Sequence, residues 1–179
     1  TQILVKAKYM PKEYKKADGT TTTTQETNGD WMLIDGGFYT FTTLMDWIER
    51  ELKYKYLNNH PDPTVITTPL TTAFNKYLEG ISLTAVSLPA TADAAAIATL
   101  KQAFVDKKTD ILNEDDRAKT VDVLTYYKGG YSFYKAMIKH DDTSLATNEL
   151  GEFGVVRNSV YDISVTKFND PGYPTIPPV

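Results

Sequence analysis

The chain has 179 residues, 41% of them hydrophobic and 23% charged, and its 19 basic and 23 acidic residues leave a net charge of −4. That mixture suits a globular domain with a sizeable core; it argues against disorder and against a surface built for nucleic acid. No apolar run is long enough for a membrane-spanning helix, and the absence of cysteine excludes disulfides, a thiol nucleophile and a cysteine zinc site.

The chain holds 25 threonines and 12 tyrosines, a bias toward strand formers. It opens on Thr1 without a basic and then apolar leader, so the expectation is a processed piece whose export signal lies upstream. In the first segment Ile3, Val5, Ala7 and Tyr9 alternate with Lys6 and Lys8, the two-residue period of a half-buried strand. Lys12 to Asp30, with five threonines in a row at 20–24, reads as a long surface loop or a ragged hairpin. Trp31–Ile34 and Phe38–Phe41 flank Asp35-Gly36-Gly37 and predict a hairpin turned on glycine.

The period then lengthens. Thr43 with Asp46 three residues later predicts a capping box opening a helix over 43–57, with Met45, Ile48, Leu52 and Tyr56 on its apolar side. Asn58–Pro63 breaks it, and Thr68-Pro69 predicts the start of a second helix carrying Leu70, Phe74, Tyr77, Leu78 and Ile81 inward. Thr91 predicts the start of a third, alanine-rich helix to Val105, with Ile97, Leu100 and Phe104 on one stripe. Val121–Tyr127 and Tyr131–Lys139 around Lys128-Gly129-Gly130 predict a second hairpin. Val160–Lys167, alternating Tyr161, Ile163 and Val165 with Asp162, Ser164 and Thr166, predicts a last strand. Residues 169–179 contain Pro171, Pro174, Pro177 and Pro178 and predict an extended, polyproline-like linker. Strands, a helical insert at about 43–107 and strands again predict a mainly β protein: an antiparallel β-sandwich with appended helices, its domain running over 1–168.

Little chemistry is written in the chain. His60 stands alone, and His140-Asp141-Asp142 suits a solvated turn better than half a metal site. Asp110 with Asn113–Asp116 lacks the glycine and closing glutamate of a calcium loop. Neither a nucleophile elbow, nor a Walker loop, nor a dinucleotide fingerprint is present, so no catalytic residue, metal or cofactor is expected. A lysine such as Lys6 could form an isopeptide with an asparagine only if both were buried, which lysine rarely is. Tyr126, Tyr127, Tyr131, Phe133 and Tyr134 crowd one stretch; Tyr127, Tyr131 and Phe133 would serve a secreted carbohydrate-binding module as stacking rings.

The segments Tyr126–Tyr134, Ile138–His140 and Gly151–Ile163 together resemble the C-terminal domain of the Bacteroidetes fimbrillins, most of all the major subunits of short (Mfa-type) fimbriae of Porphyromonas and its relatives. Within the last segment, Gly154, Val155, Val156, Arg157, Asn158 and Tyr161 form the motif leading into the final strand; Phe153 replaces the usual tyrosine and Ser159 a frequent histidine. Val5–Tyr9 and Gly37–Tyr39 resemble the start of the same domain. The resemblance implies a transthyretin-like sandwich and a structural subunit of an adhesive fimbria on the outer membrane surface. It implies polymerisation by donor-strand exchange, with a lipid-anchored precursor and a donor strand beyond the proline-rich linker. The implied partners are further copies of the subunit, tip and anchor subunits, and host or bacterial surface receptors. Arg157, just before the final strand, takes a structural role in this reading.

Overall fold

The computed structural model describes residues 2–57, 70–138 and 154–178. It divides into two compact units: Met10–Gly130, and Thr1–Tyr9 combined with Tyr131–Val179. His60, Thr68-Pro69, Lys139, His140–Asp142 and Gly151–Phe153 lie outside the described residues.

The core of the larger unit begins with β4 (Trp31–Ile34) and β5 (Gly37–Tyr39), paired antiparallel with Met32 opposite Tyr39 and Ile34 opposite Gly37. Asp35 and Gly36 between them have φ of 47° and 75°, the left-handed pair that a tight two-residue turn needs. On its other edge β4 pairs with β7 (Leu124–Tyr127), which pairs in turn with β6 (Thr120–Val121); the sheet order is β5-β4-β7-β6. Alternation sorts the two faces. Met32, Ile34, Leu124 and Tyr126 join the main hydrophobic cluster, while Trp31 stacks on Tyr127 at 4.0 Å on the opposite face. A small hairpin of β2 (Tyr14–Lys15) and β3 (Thr21–Thr22) occupies the threonine-rich stretch, so the ragged-hairpin reading holds there.

Helices α1 (Phe41–Leu57), α2 (Leu70–Gly80) and α3 (Ala94–Asn113) supply the rest of the cluster through Leu44, Ile48, Leu52, Phe74, Tyr77, Ile97 and Phe104. The helical stretch thus runs from 41 to 113 rather than 43 to 107. Among the described residues helix, at about 34%, outweighs strand, at about 21%, so the mainly β expectation gives way to antiparallel sheets accompanied by three helices.

The starts of α1 and α3 are held differently from expectation, and that of α2 has a support from another helix. The capping box of α1 begins at Thr40, not Thr43: the Thr43 N–H donates to Thr40 Oγ1 at 3.1 Å and the Thr40 N–H donates to Thr43 Oγ1 at 3.0 Å. A threonine hydroxyl closes the box where a carboxylate was expected; Asp46 instead pairs at 3.5 Å with Lys101 of α3. The first turn of α2 is capped from outside: Glu51 of α1 accepts from the Thr71 N–H at 2.6 Å and the Thr71 hydroxyl at 2.8 Å. Burial pushes the Glu51 carboxyl upward in pKa despite those bonds. Asp93, not Thr91, caps α3, its carboxylate accepting from the Ala96 N–H at 2.8 Å.

The predicted second hairpin is not formed. β7 pairs with β4 and β6, β8 (Tyr131–Met137) pairs with β1 (Gln2–Lys8), and Lys128–Gly130 is a short non-helical turn joining β7 to β8. Gly129 and Gly130 have φ of 63° and 68°, so the turn curls away from a hairpin path. The buried Asp30 carboxylate fixes this turn. It accepts from the Gly129 N–H at 2.5 Å, the Tyr126 hydroxyl at 2.6 Å and the Asn28 amide at 2.8 Å. Burial first, and the Asp30 charge second, push the Tyr126 hydroxyl far up in pKa, keeping it a donor.

Two outcomes follow from these contacts. Asp30→Asn puts an amide donor among three donors and should cost about 1.5–3 kcal/mol in urea unfolding, the range for hydrogen bonds to a charged group; a loss below about 0.5 would show the turn is held otherwise. Glu26 behaves oppositely to Glu51: burial raises its pKa, but the Thr42 N–H, Lys108 and the Thr42 hydroxyl together bring it below the ordinary 4.5. As pH falls below 4.5 the unfolded chain takes up this proton first, so the stabilisation is present above that value and lost beneath it. Glu26→Gln should therefore flatten the acid limb of a Tm-against-pH curve; an unchanged limb would contradict the assignment.

Candidate functional site

The smaller unit is built on one ladder. β1 and β8 run antiparallel from Gln2 opposite Met137 to Lys8 opposite Tyr131. The alternation of β1 is realised as expected, with Ile3, Val5 and Ala7 half-buried and Leu4, Lys6 and Lys8 exposed. Across the ladder, Ser132, Tyr134 and Ala136 share the first face, and Tyr131, Phe133, Lys135 and Met137 the second. Two strands make a marginal sheet on their own. The buried members of the main hydrophobic cluster all lie between residues 32 and 126, and none comes from this unit.

The two edges of this sheet differ. Among the described residues the outer edge of β1 has no strand beside it. Beyond β8 runs the proline-rich segment, where the Tyr173 and Phe133 N–H groups each donate to the other's carbonyl at 2.9 Å. Pro171 and Pro174 lack the N–H that would extend the pairing, so it stays a single bridge. Gly172 makes it possible: a Cβ there would sit 2.4 Å from the Phe133 carbonyl oxygen. The Tyr134 hydroxyl donates to the Asp170 carbonyl at 3.0 Å, the Lys135 ammonium donates to the Pro178 carbonyl, and Pro177 is buried. The segment expected to be an extended linker, with Pro171, Pro174, Pro177 and Pro178, is thus docked along β8.

The motif residues do not form a strand. Gly154 donates its N–H to the Ile138 carbonyl at 3.0 Å, Asn158 has φ of 68°, and the Ser159 N–H closes a turn on the Val156 carbonyl at 3.2 Å. The Val156 N–H donates to the Tyr161 hydroxyl at 2.8 Å, and Arg157 is exposed within the turn. The expected last strand, Val160–Lys167, has strand periodicity but no ladder partner among the described residues, and without one it stays irregular. Val160, Ile163 and Val165 are left exposed, Val160 at 97%. A cleft of about 290 Å³ lies between Val160–Ile163 and Ala136–Ile138.

Of the three expected stacking rings, Tyr131 and Phe133 share the outer face of β8. Tyr127 does not join them, being buried against Trp31. Lys6 is exposed over the Tyr131 and Phe133 rings, a position that serves no buried crosslink. That Lys6 and Lys8 lie over these rings escaped the sequence reading, because the cross-strand register that joins them is not local. Among the described residues no group of three or more acidic or histidine side chains converges as for a metal.

Among the described residues this unit offers a two-stranded sheet with one apolar face and an edge without a partner strand. Residues 125–179 match the family model described as "Major fimbrial subunit protein type IV, Fimbrillin, C-terminal". The match takes in all three segments of the last third that carry the resemblance, and it supports a fimbrillin-family C-terminal domain here. The match spans less than a third of the chain, and the family it describes is one of structural rather than enzymatic proteins. No curated protein and no solved structure matches the chain.

Because any side chain at residue 172 meets the backbone of Phe133, Gly172→Val should undock the proline-rich segment. Faster hydrogen exchange at the Phe133 and Tyr173 amides, with the Lys6 and Phe133 pairing intact, is the expected result; unchanged exchange would show that the bridge tolerates the side chain.

Proposed function

We propose that this chain is the C-terminal domain of a short-fimbria major subunit, which polymerises by donor-strand exchange and supports adhesion without any catalytic activity. The observation that carries the reading is that, among the described residues, the outer edge of β1 is open on a sheet too small to be stable alone. An unpaired edge presents N–H and C=O groups in register, and the half-buried Ile3, Val5 and Ala7 give an added strand alternate apolar contacts. A strand supplied by a neighbour would extend the sheet toward the transthyretin-like sandwich. Such a head-to-tail contact uses two different surfaces and grows a filament rather than a closed dimer.

The proline-rich segment fits the linker of this scheme. Its attachment to β8 is one bridge and a few side-chain contacts, so releasing it to cross a subunit boundary disrupts little structure. Val160–Lys167 fits an unsatisfied strand, apolar on alternate residues and without a ladder partner among the described residues. In this reading the precursor carries an export signal and lipid anchor, the filament stands on the outer membrane, and tip and anchor subunits and surface receptors complete its partners.

The test compares the free subunit with assembled fimbriae by hydrogen exchange. The β1 amides that face away from β8 should exchange freely in the subunit and become protected in the polymer, and Val5→Asp in the full-length subunit should abolish filaments while the protein is still exported. Equal protection in both states, or normal filaments from the variant, would overturn the reading.

A further inference from the structure

The outer face of the β1–β8 sheet carries eight residues: Gln2, Leu4, Lys6 and Lys8 from one strand, Tyr131, Phe133, Lys135 and Met137 from the other. Three are lysines and none is acidic, on a chain whose net charge is −4. The cations are not scattered. The Lys6 ammonium lies 4.1 Å from the centroid of the Tyr131 ring and 5.8 Å from that of Phe133, and Lys8 lies 5.4 Å from Tyr131. Among the described residues neither Lys6 nor Lys8 joins an ion pair, and what sets them apart from other unpaired lysines such as Lys12 and Lys167 is the pair of rings beneath them. Tyr131 is 37% exposed, and Leu4 and Met137 leave apolar surface at the far end of the same face.

We infer that this face binds an acidic polysaccharide, one bearing sulfate or uronate groups. The inference rests on the sheet's own residues and stands apart from the filament reading. Sugar rings offer flat C–H faces that stack on aromatic side chains, and their carboxylates or sulfates need cations at the rim of the stack. Tyr131 and Phe133 provide the first, Lys6 and Lys8 the second. While the face is empty the ammonium groups rest over the rings; exposed cation–π contacts are weak, so an anion draws them aside and frees the ring for the sugar. Lys6 and Lys8, two residues apart on one strand, stand about 7 Å from each other along it. That spacing suits a polymer whose charges are separated by neutral ring surface. It suits duplex DNA poorly, because DNA carries a charge about every 1.7 Å of its axis and would meet the repulsion of an acidic chain. A neutral glycan would leave both lysines without a role.

The test uses the 179-residue chain and four probes in solution: a sulfated heparin oligosaccharide, polygalacturonate, neutral dextran and duplex DNA. Binding to the sulfated probe, the uronate probe or both, weakened by added salt and absent with dextran and DNA, is the expected result. Lys6→Gln with Lys8→Gln should weaken it at least tenfold, Tyr131→Ala with Phe133→Ala several-fold, and Lys6→Arg with Lys8→Arg should retain it. Lys12→Gln with Lys167→Gln, exposed lysines elsewhere, should change nothing. Circular dichroism and hydrogen exchange across the β1–β8 ladder establish that each variant keeps the sheet. No binding to either acidic glycan, binding as tight to dextran or DNA, or equal affinity in the Lys6→Gln/Lys8→Gln variant would each overturn the assignment. Filament formation by the same variants, scored separately, tells a failure here from a failure of the fimbrial reading.

Discussion

The antiparallel ladder between Gln2–Lys8 and Tyr131–Met137 is the constraint on which the functional reading depends. It joins the start of the chain to its C-terminal third, so the whole of residues 10–130 is an excursion between two paired strands. Closing so long a loop costs entropy that grows only slowly with length, and the excursion stabilises itself through its own aromatic and aliphatic core. The ladder gets no comparable support. Its apolar face is half-buried, its first strand has an open edge among the described residues, and its last flanking segment is held by one bridge and a few side-chain contacts.

Local patterns were legible where short-range physics decides them. Asp35-Gly36 gave the β4–β5 turn because only a left-handed pair closes it tightly, and the apolar stripes gave three helices in the right order. The ends of those helices were less legible, since several hydroxyls and carboxylates compete for the same amides. Thr40 and Thr43 cap each other, Asp93 stands nearer the α3 amides than Thr91, and Glu51 reaches α2 from another helix. Strand pairing was the hardest part. Lys128-Gly129-Gly130 has the composition of a hairpin turn, but Asp30, far away in sequence, holds Gly129 in a geometry that sends β7 and β8 to different sheets. Val160–Lys167 shows that periodicity marks a segment fit for a sheet without supplying the neighbour that makes it a strand.

The candidate site divides along the same line. That Lys6 and Lys8 share a face, and that prolines dominate residues 171–178, is plain in the sequence. Which rings the lysines cover depends on a register linking residues more than a hundred positions apart. The removal of Tyr127 from the aromatic surface depends on Trp31 in the neighbouring strand. Family resemblance supplied the proposed assembly; geometry added a face that combines cations with aromatic rings.

The direction of the ladder has a mechanical consequence. Gln2 and Met137 stand at the same end of it, so tension pulling those two points apart loads the rungs one after another, as in a zip, instead of shearing them together. A strand laid along the open edge would change the geometry of that load, because separating it lengthwise strains many rungs at once. Resistance to pulling would then belong to the assembled fibre and hardly at all to the lone molecule.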